Sequence, residues 1–337
     1  VHTRRHFFKT VLGLGLGASG IGLAREVRPK LRVGVLASPG AKGFLAALEG
    51  AGGGRVEFLR GGLGTTPGSA MREASGLLAS KVAVLVVLGD GLEDTLRPLA
   101  ERYAVPVLLS EVGVLMPRGV SSSPFILKNS LRQWQAEWAL GAWSAERRGR
   151  TAVVVTGLLE AGYDLPYAFR AGFEAGGGQV LATLVSDGST GKHDFRAVVA
   201  QIRDLNPATV HLVGSSREGL ELARYYPNLS VSGFSVGQLP PALTGAFCAT
   251  TAPAGDGLET LGRWAATWLK AVEEPDSRGL LLALHEAVRT EPIYLSRVQG
   301  SVRVKLALLP EPPAYHPALL SLAAHPRSGW TNLYPNV

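Results

Sequence analysis

Cysteine is nearly absent from this chain: Cys248 is the single one among 337 residues. That excludes a disulfide framework and any cysteine-rich zinc or iron–sulfur cage. The seven histidines show no H-x-x-x-H or H-E-x-x-H spacing, so neither a metal site nor a cofactor is expected. Charged residues make up only 18% of the chain against 46% apolar, which excludes a disordered polymer. Long basic runs are missing too. The formal charge is +7, but the excess is spread thinly, so no nucleic-acid partner is expected. Beyond residue 24 no apolar run reaches the roughly 18 residues of a membrane span. The longest one there, Val82–Leu88, has the length of a buried strand, and no stable membrane insertion is expected of that part.

The first residues read as an address. Thr3-Arg4-Arg5-His6-Phe7-Phe8-Lys9 precedes a glycine-rich apolar run from Thr10 to Ala24, and no acidic residue occurs before Glu26. A basic segment, a short apolar segment and small residues at its end form a secretory signal. The arginine pair with its flanking residues resembles the twin-arginine export motif. Cleavage after Ala24 and a periplasmic or other extracytoplasmic location are the expectations. Gly15-Leu16-Gly17-Ala18-Ser19-Gly20 also fits G-x-G-x-x-G, but a dinucleotide loop needs a strand before it and an acid about 20 residues on. The strand Leu31–Leu36 ends in Ala37-Ser38 instead.

Past residue 30, strand and helix patterns alternate. Strands are expected over Leu31–Ala37, Arg55–Leu59, Val82–Leu88 and Val105–Leu109, with helices over Ala41–Glu49, Ser69–Ala79 and Leu92–Tyr103. Short apolar strands alternating with helices imply a parallel sheet covered on both faces. The turn-rich stretch Pro117–Pro124 reads as a linker. The alternation then restarts with helix Gln133–Arg147, strand Thr151–Thr156, helix Leu165–Ala175 and strand Gln179–Val185. Helix Asp194–Leu205, strand Thr209–Val213, helix Arg217–Tyr225 and strand Leu229–Phe234 follow. Two helices, Leu258–Val272 and Ser277–Arg289, come next, and Ile293–Val298 with Ser301–Leu308 reads as a hairpin about Gln299-Gly300. The fold class is α/β, with two similar halves.

This order of elements resembles a type I periplasmic binding protein of the branched-chain amino acid (leucine-binding) branch. The resemblance rests on Ala74–Leu88, on Leu96–Leu109, on Thr151–Gly178 with its closing glycines, and on Asp194–Val213 with its Asn-Pro turn. It implies two Rossmann-like lobes joined by three hinge crossovers, a ligand in the cleft between them, and delivery of that small molecule to the permease subunits of an ABC transporter. On this reading 1–24 is the signal. Lobe one comprises 31–124 with about 250–290, and lobe two 125–247 with about 291–310. Residues 311–337 form a wrapping tail. The crossovers are expected near Ser121–Leu127, near Thr244–Ala252 and at the start of the hairpin.

Ligands of open α/β sheets sit beyond the carboxyl ends of the strands, where helix N-termini offer free N–H groups. Those ends supply the candidates: Asp90, Gly91, Ser110 and Glu111 in the first lobe, and Gly162, Tyr163, Ser215, Ser216, Ser235 and Gln238 in the second. Hydroxyls there suit a ligand carboxylate, and Asp90 or Glu111 an ammonium. Asp90-Gly91-Leu92-Glu93 and Ser215-Ser216-Arg217-Glu218 also read as capping boxes that start their helices. Gly89-Asp90-Gly91 replaces the branch's serine-rich loop, and Ala161 stands where it carries an aromatic residue. Both departures point away from aliphatic amino acids and toward amides, ureas, amines or a cationic solute.

Two other functions compete. Gly233-Phe234-Ser235-Val236-Gly237 matches the G-x-S-x-G elbow of α/β-hydrolases, and Asp256 or Asp276 with His285 or His316 follows in the right order. Such an elbow runs straight into a helix, whereas Pro240-Pro241 follows here. A ligand-sensing receptor component is the second. Gly188–His193 lacks the spacing of a phosphate loop. Trp134, Trp138, Trp264 and Trp268 pair at i,i+4, the pattern of packing residues.

Overall fold

A computed structural model describes residues 30–50, 55–64, 66–116, 123–186, 195–226, 229–233, 240–252, 257–270 and 291–312. The first half runs β1 (Leu31–Ala37), α1 (Lys42–Gly50), β2 (Val56–Gly62), α2 (Pro67–Ala79), β3 (Val84–Leu88), α3 (Glu93–Tyr103), β4 (Val107–Glu111) and β5 (Ile126–Ser130). The second runs α4 (Gln133–Arg147), β6 (Thr151–Gly157), α5 (Leu165–Ala175), β7 (Gln179–Ser186), α6 (Arg196–Leu205), β8 (Thr209–Val213), α7 (Ser216–Ala223), β9 (Ser230–Val231) and β10 (Phe247–Thr250). Then come α8 (Gly257–Lys270), β11 (Tyr294–Gln299) and β12 (Val302–Leu308).

Two sheets result. Sheet one has five strands in the order β2-β1-β3-β4-β5, all parallel. Sheet two has seven, β12-β11-β10-β9-β8-β6-β7, parallel from β7 to β10 and closed by two antiparallel strands. β3 is buried at every position, as a central parallel strand covered by helices must be. The hairpin expected about Gln299-Gly300 is β11–β12, with Gly300 at φ 61°.

Both lobes wind the same way. The first strand of each half lies between the second and third: β1 between β2 and β3, and β6 between β7 and β8. The strand order therefore reverses once per lobe, at β1/β3 and at β6/β8. A crevice opens at such a reversal, because neighbouring connections leave for opposite faces.

The chain enters the layers of sheet two later than Ser121–Leu127. Ile126–Ser130 pairs with β4 in parallel register, Val107 opposite Ile126, and so belongs to sheet one. The passage falls at Leu131-Arg132, and Arg132 takes the left-handed conformation, φ 52°, that swings the chain into α4. The short run Phe125-Ile126-Leu127 hides β5 from a pattern reading because polar Lys128-Asn129-Ser130 follows it. β10 was likewise not expected as a strand; it continues sheet two beside β9. After it α8 returns to lobe one and packs on α1, β4 and β5.

Glycines let helices approach closely. A β-carbon at Gly172 would collide with the Trp138 carbonyl, and one at Gly141 with that of Phe169, which brings α4 and α5 into backbone contact. Trp134 and Trp268 are buried in one apolar cluster, with Trp138 and Trp264 packed against it. Between α4 and sheet two lies a buried polar group. Glu137 pairs with His211 (Nε2 to Oε2 2.9 Å) and accepts from Gln133 and Ser232, while His211 stacks on Phe169 at 3.8 Å. No helix among the described residues is long and apolar enough to cross a membrane.

Candidate functional site

The carboxyl ends of β3 and β4 carry the lobe-one candidates, and their two carboxylates interlock. Asp90 is 2% exposed. Its Oδ1 accepts from the Val112 N–H at 2.9 Å, and Oδ2 from those of Val114 at 2.6 Å and Leu115 at 3.3 Å. It does not start α3, whose cap position is Leu92 with no side-chain hydrogen bond. The capping-box reading of Asp90 is thereby corrected. Gly91, at φ 70°, turns the chain between the carboxylate and the helix, so Asp90 faces the exit of β4 instead.

Glu111 answers from the other side, accepting from the Gly91 N–H. Its carboxyl is pushed up to about 7, first by burial and then by the charge of Asp90, with Glu93 adding and Lys128 opposing. Burial disfavours the Lys128 ammonium, but Glu111, Glu93 and Asp90 outweigh it and hold Lys128 above its ordinary value. Lys128 pairs directly with Glu93. Both acids named as ammonium acceptors are thus engaged within lobe one.

Ser110 is different. It is fully buried, and its hydroxyl makes no hydrogen bond among the described residues. It shares the sheet face of Leu108 and stands opposite Asn129, whose amide donates to the Leu261 carbonyl. A buried hydroxyl without a partner carries an energetic cost that a polar ligand atom would remove.

In lobe two, Gly162 ends a short 3-10 turn, Glu160–Gly162, and the Tyr163 N–H donates to the Glu160 carbonyl at 3.0 Å. Tyr163 is buried against lobe one. Ser215 caps α7 in a complete capping box with Glu218, as its spacing predicts. Ser216 is the first residue of that helix, half-buried. Ser235 and Gln238 lie outside the described residues, and so does the first segment through residue 29.

The strand ends meet through apolar contacts. One cluster joins Leu88 and Val112–Met116 of lobe one, Gly113 excepted, to Tyr163 and Val213 of lobe two. The candidates on both sides of the cleft are therefore anchored on a shared floor. Pattern reading missed the Ser38–Gly40 turn and three acids. Ser38-Pro39-Gly40 leaves β1 at the lobe-one reversal and carries only a turn signal. Glu160 and Glu218 bury their carboxylates beside Gly157, where a β-carbon would collide with Glu160. Asp164 bridges the two lobes through hydrogen bonds with Met116 and Val114. Of the three acids only Glu218 had a signal in sequence, as the fourth residue of its capping box.

Comparison with known proteins agrees with this architecture. A family model described as "Periplasmic binding protein" matches residues 33–292. No curated protein matches the chain. Among solved structures, it resembles an ABC-transporter solute-binding protein from R. palustris in complex with benzoate. There the identity is 18% over 85% of this chain and 98% of that one, with a TM-score of 0.66. An ABC-transporter substrate-binding protein from Sphaerobacter thermophilus gives 20% over 84% and 98%, TM-score 0.65. A leucine-binding protein from Thermotoga maritima gives 16% over 83% and 98%, TM-score 0.60. At such identities the likeness is one of fold. The family match spans most of the chain: it belongs to the periplasmic binding proteins. It is accordingly an extracytoplasmic solute-binding protein and not an enzyme. That sets aside the hydrolase reading of Gly233–Gly237.

Proposed function

We propose that the chain captures a compact solute carrying a carboxylate on an apolar body and delivers it to the permease subunits of an ABC transporter. Family membership supports capture. The observation that carries the ligand class is one unsatisfied buried hydroxyl, Ser110, near the end of β4, followed in the chain by Val112, Val114, Leu115 and Met116, which share an apolar cluster with Tyr163. Such a site has few polar groups to orient a ligand and much apolar surface to bind it. Asp90 no longer argues against a carboxylate, because three backbone N–H groups compensate its charge. Benzoate in one solved neighbour and leucine in the name of another are both acids of this shape.

On this reading lobe one runs to Ser130 and takes back α8, and lobe two holds the described rest through β12; the tail expected at 311–337 lies, past residue 312, outside the described residues. Export uses the twin-arginine signal, cleaved after Ala24. Leu158 is exposed at the rim of lobe two and is available to the permease.

The experiment is mass spectrometry of the solute retained by the purified mature chain. Calorimetry with leucine, benzoate and a cationic amine follows. An acid is expected. Ser110→Ala should then weaken it about 10-fold to 100-fold, the worth of a hydrogen bond to a charged group. Retention of an amine, or unchanged affinity in Ser110→Ala, refutes the assignment.

A further inference from the structure

Asp164 holds the cap position of α5, yet its side chain makes no capping hydrogen bond to its own helix. The sequence explains part of this. Pro166 occupies the first turn and has no N–H to be capped. The carboxylate reaches out of lobe two instead, and Oδ2 accepts from the Met116 N–H of lobe one at 2.7 Å. The Asp164 N–H donates to the Val114 carbonyl at 3.0 Å. One residue thus makes two hydrogen bonds across the gap, one through each of its polar ends.

The segment it grips, residues 112–116, cannot easily yield. Val112, Val114 and Leu115 are tied by their N–H groups to Asp90. The Val112 and Gly113 carbonyls accept from Gln133 at 3.2 Å and Trp134 at 2.8 Å, the first N–H groups of α4. Gly113, at φ 81°, lies where a β-carbon would stand 2.8 Å from the Gln133 nitrogen. Residues 112–116 are therefore held by the core of lobe one, by the first crossover and by Asp164. Tyr163 and Leu165, on either side of Asp164, are buried in the cluster that covers these bonds. Hydrogen bonds shielded in this way are stronger than exposed ones.

We propose that Asp164 is a positioning residue for the solute site. It sets the distance between the β4 exit, which carries Ser110 and Glu111, and the β6 exit, which carries Gly162 and Tyr163. This rests on the two-lobed solute-binding reading and adds a residue that touches no ligand. Two lobes with weak mutual contacts sample a range of angles, and a ligand selects among them. A pair of shielded bonds at the base of the cleft narrows that range.

The test separates this role from helix starting. Cysteines replace Met71 on α2 and Leu205 on α6, which are 41% and 37% exposed and lie in different lobes. Cys248 is buried, its thiol pushed up to about 12, and takes no label. Spin labels on the full chain then report the interlobe distance without solute. Asp164→Ser puts a side chain favoured at helix caps in its place but is too short to reach Met116. Its distance distribution should become longer and broader. Asp164→Asn retains an oxygen for the Met116 N–H and should overlay the parent. If Asp164→Ser overlays the parent while remaining folded by circular dichroism, the proposal is overturned. If Asp164→Asn broadens as much as Asp164→Ser, the bond to Met116 is not what sets the distance, and the proposal is again overturned. The two failures are separable, since these distances need no solute, whereas the solute reading stands or falls on the retained ligand.

Discussion

Replacing Asp90 with alanine should destabilise the chain by about 3–5 kcal/mol without touching the surface. The carboxylate accepts three backbone N–H groups at 2.9, 2.6 and 3.3 Å. A hydrogen bond to a charged acceptor contributes roughly 1.5–3 kcal/mol, and a buried donor left unmatched costs roughly 1–3 kcal/mol. Taking the lower end for each of the three bonds gives about 4–5 kcal/mol. Two effects subtract from this. Water can enter where the side chain was, and the repulsion between Asp90 and Glu111 disappears. The remainder is a large share of the roughly 5–15 kcal/mol that holds an ordinary domain together.

Urea unfolding, followed by circular dichroism and by tryptophan emission, measures the loss as a lower midpoint at unchanged slope. Asp90→Asn is the informative companion. Asparagine keeps one oxygen for Val114 and Leu115 but turns an NH2 toward the Val112 N–H. It should therefore lose less than alanine yet more than one bond's worth. A loss below about 1 kcal/mol for Asp90→Ala, less than one hydrogen bond to a charged group contributes, would refute the claim that Asp90 is the anchor of the β4 exit.

Glu111 makes stability depend on pH in a stated direction. Its folded-state value of about 7 lies above the ordinary 4.5, so the folded chain binds the extra proton. The contribution is full below about pH 4.5 and is lost as pH rises through about 7. Glu111→Gln should flatten that slope between pH 5 and 8 in a series of urea midpoints, by at most about 3 kcal/mol. Gly172→Ala places a methyl against the Trp138 carbonyl and should cost at least about 2 kcal/mol, read as a drop in melting temperature. Ser215→Ala removes the cap of α7 and should cost about 1 kcal/mol. A loss of solute affinity much beyond that stability effect would show Ser215 touching the ligand as well.

The doubly wound halves were legible because a buried parallel strand has few solutions in sequence. LRVGVLA and VLVVL admit little else, and helices such as Gln133–Arg147 and Leu165–Ala175 match their spacing end to end. The capping box of Ser215 was legible for the same reason: partner and site lie three residues apart. The strands that escaped, β5 and β10, are short and borrow their identity from neighbours that complete their ladders.

Local pattern by itself determined the fold class, the strand ends that carry the candidate residues, and the start of α7, because each depends on contacts within a few residues. Tertiary structure alone decided which way the polar groups point. Asp90 turned from its own helix to a strand exit 22 positions on, and Asp164 turned from its helix to the opposite lobe. A carboxylate takes whichever donors the fold brings within 3 Å or so, and no spacing rule spans that choice.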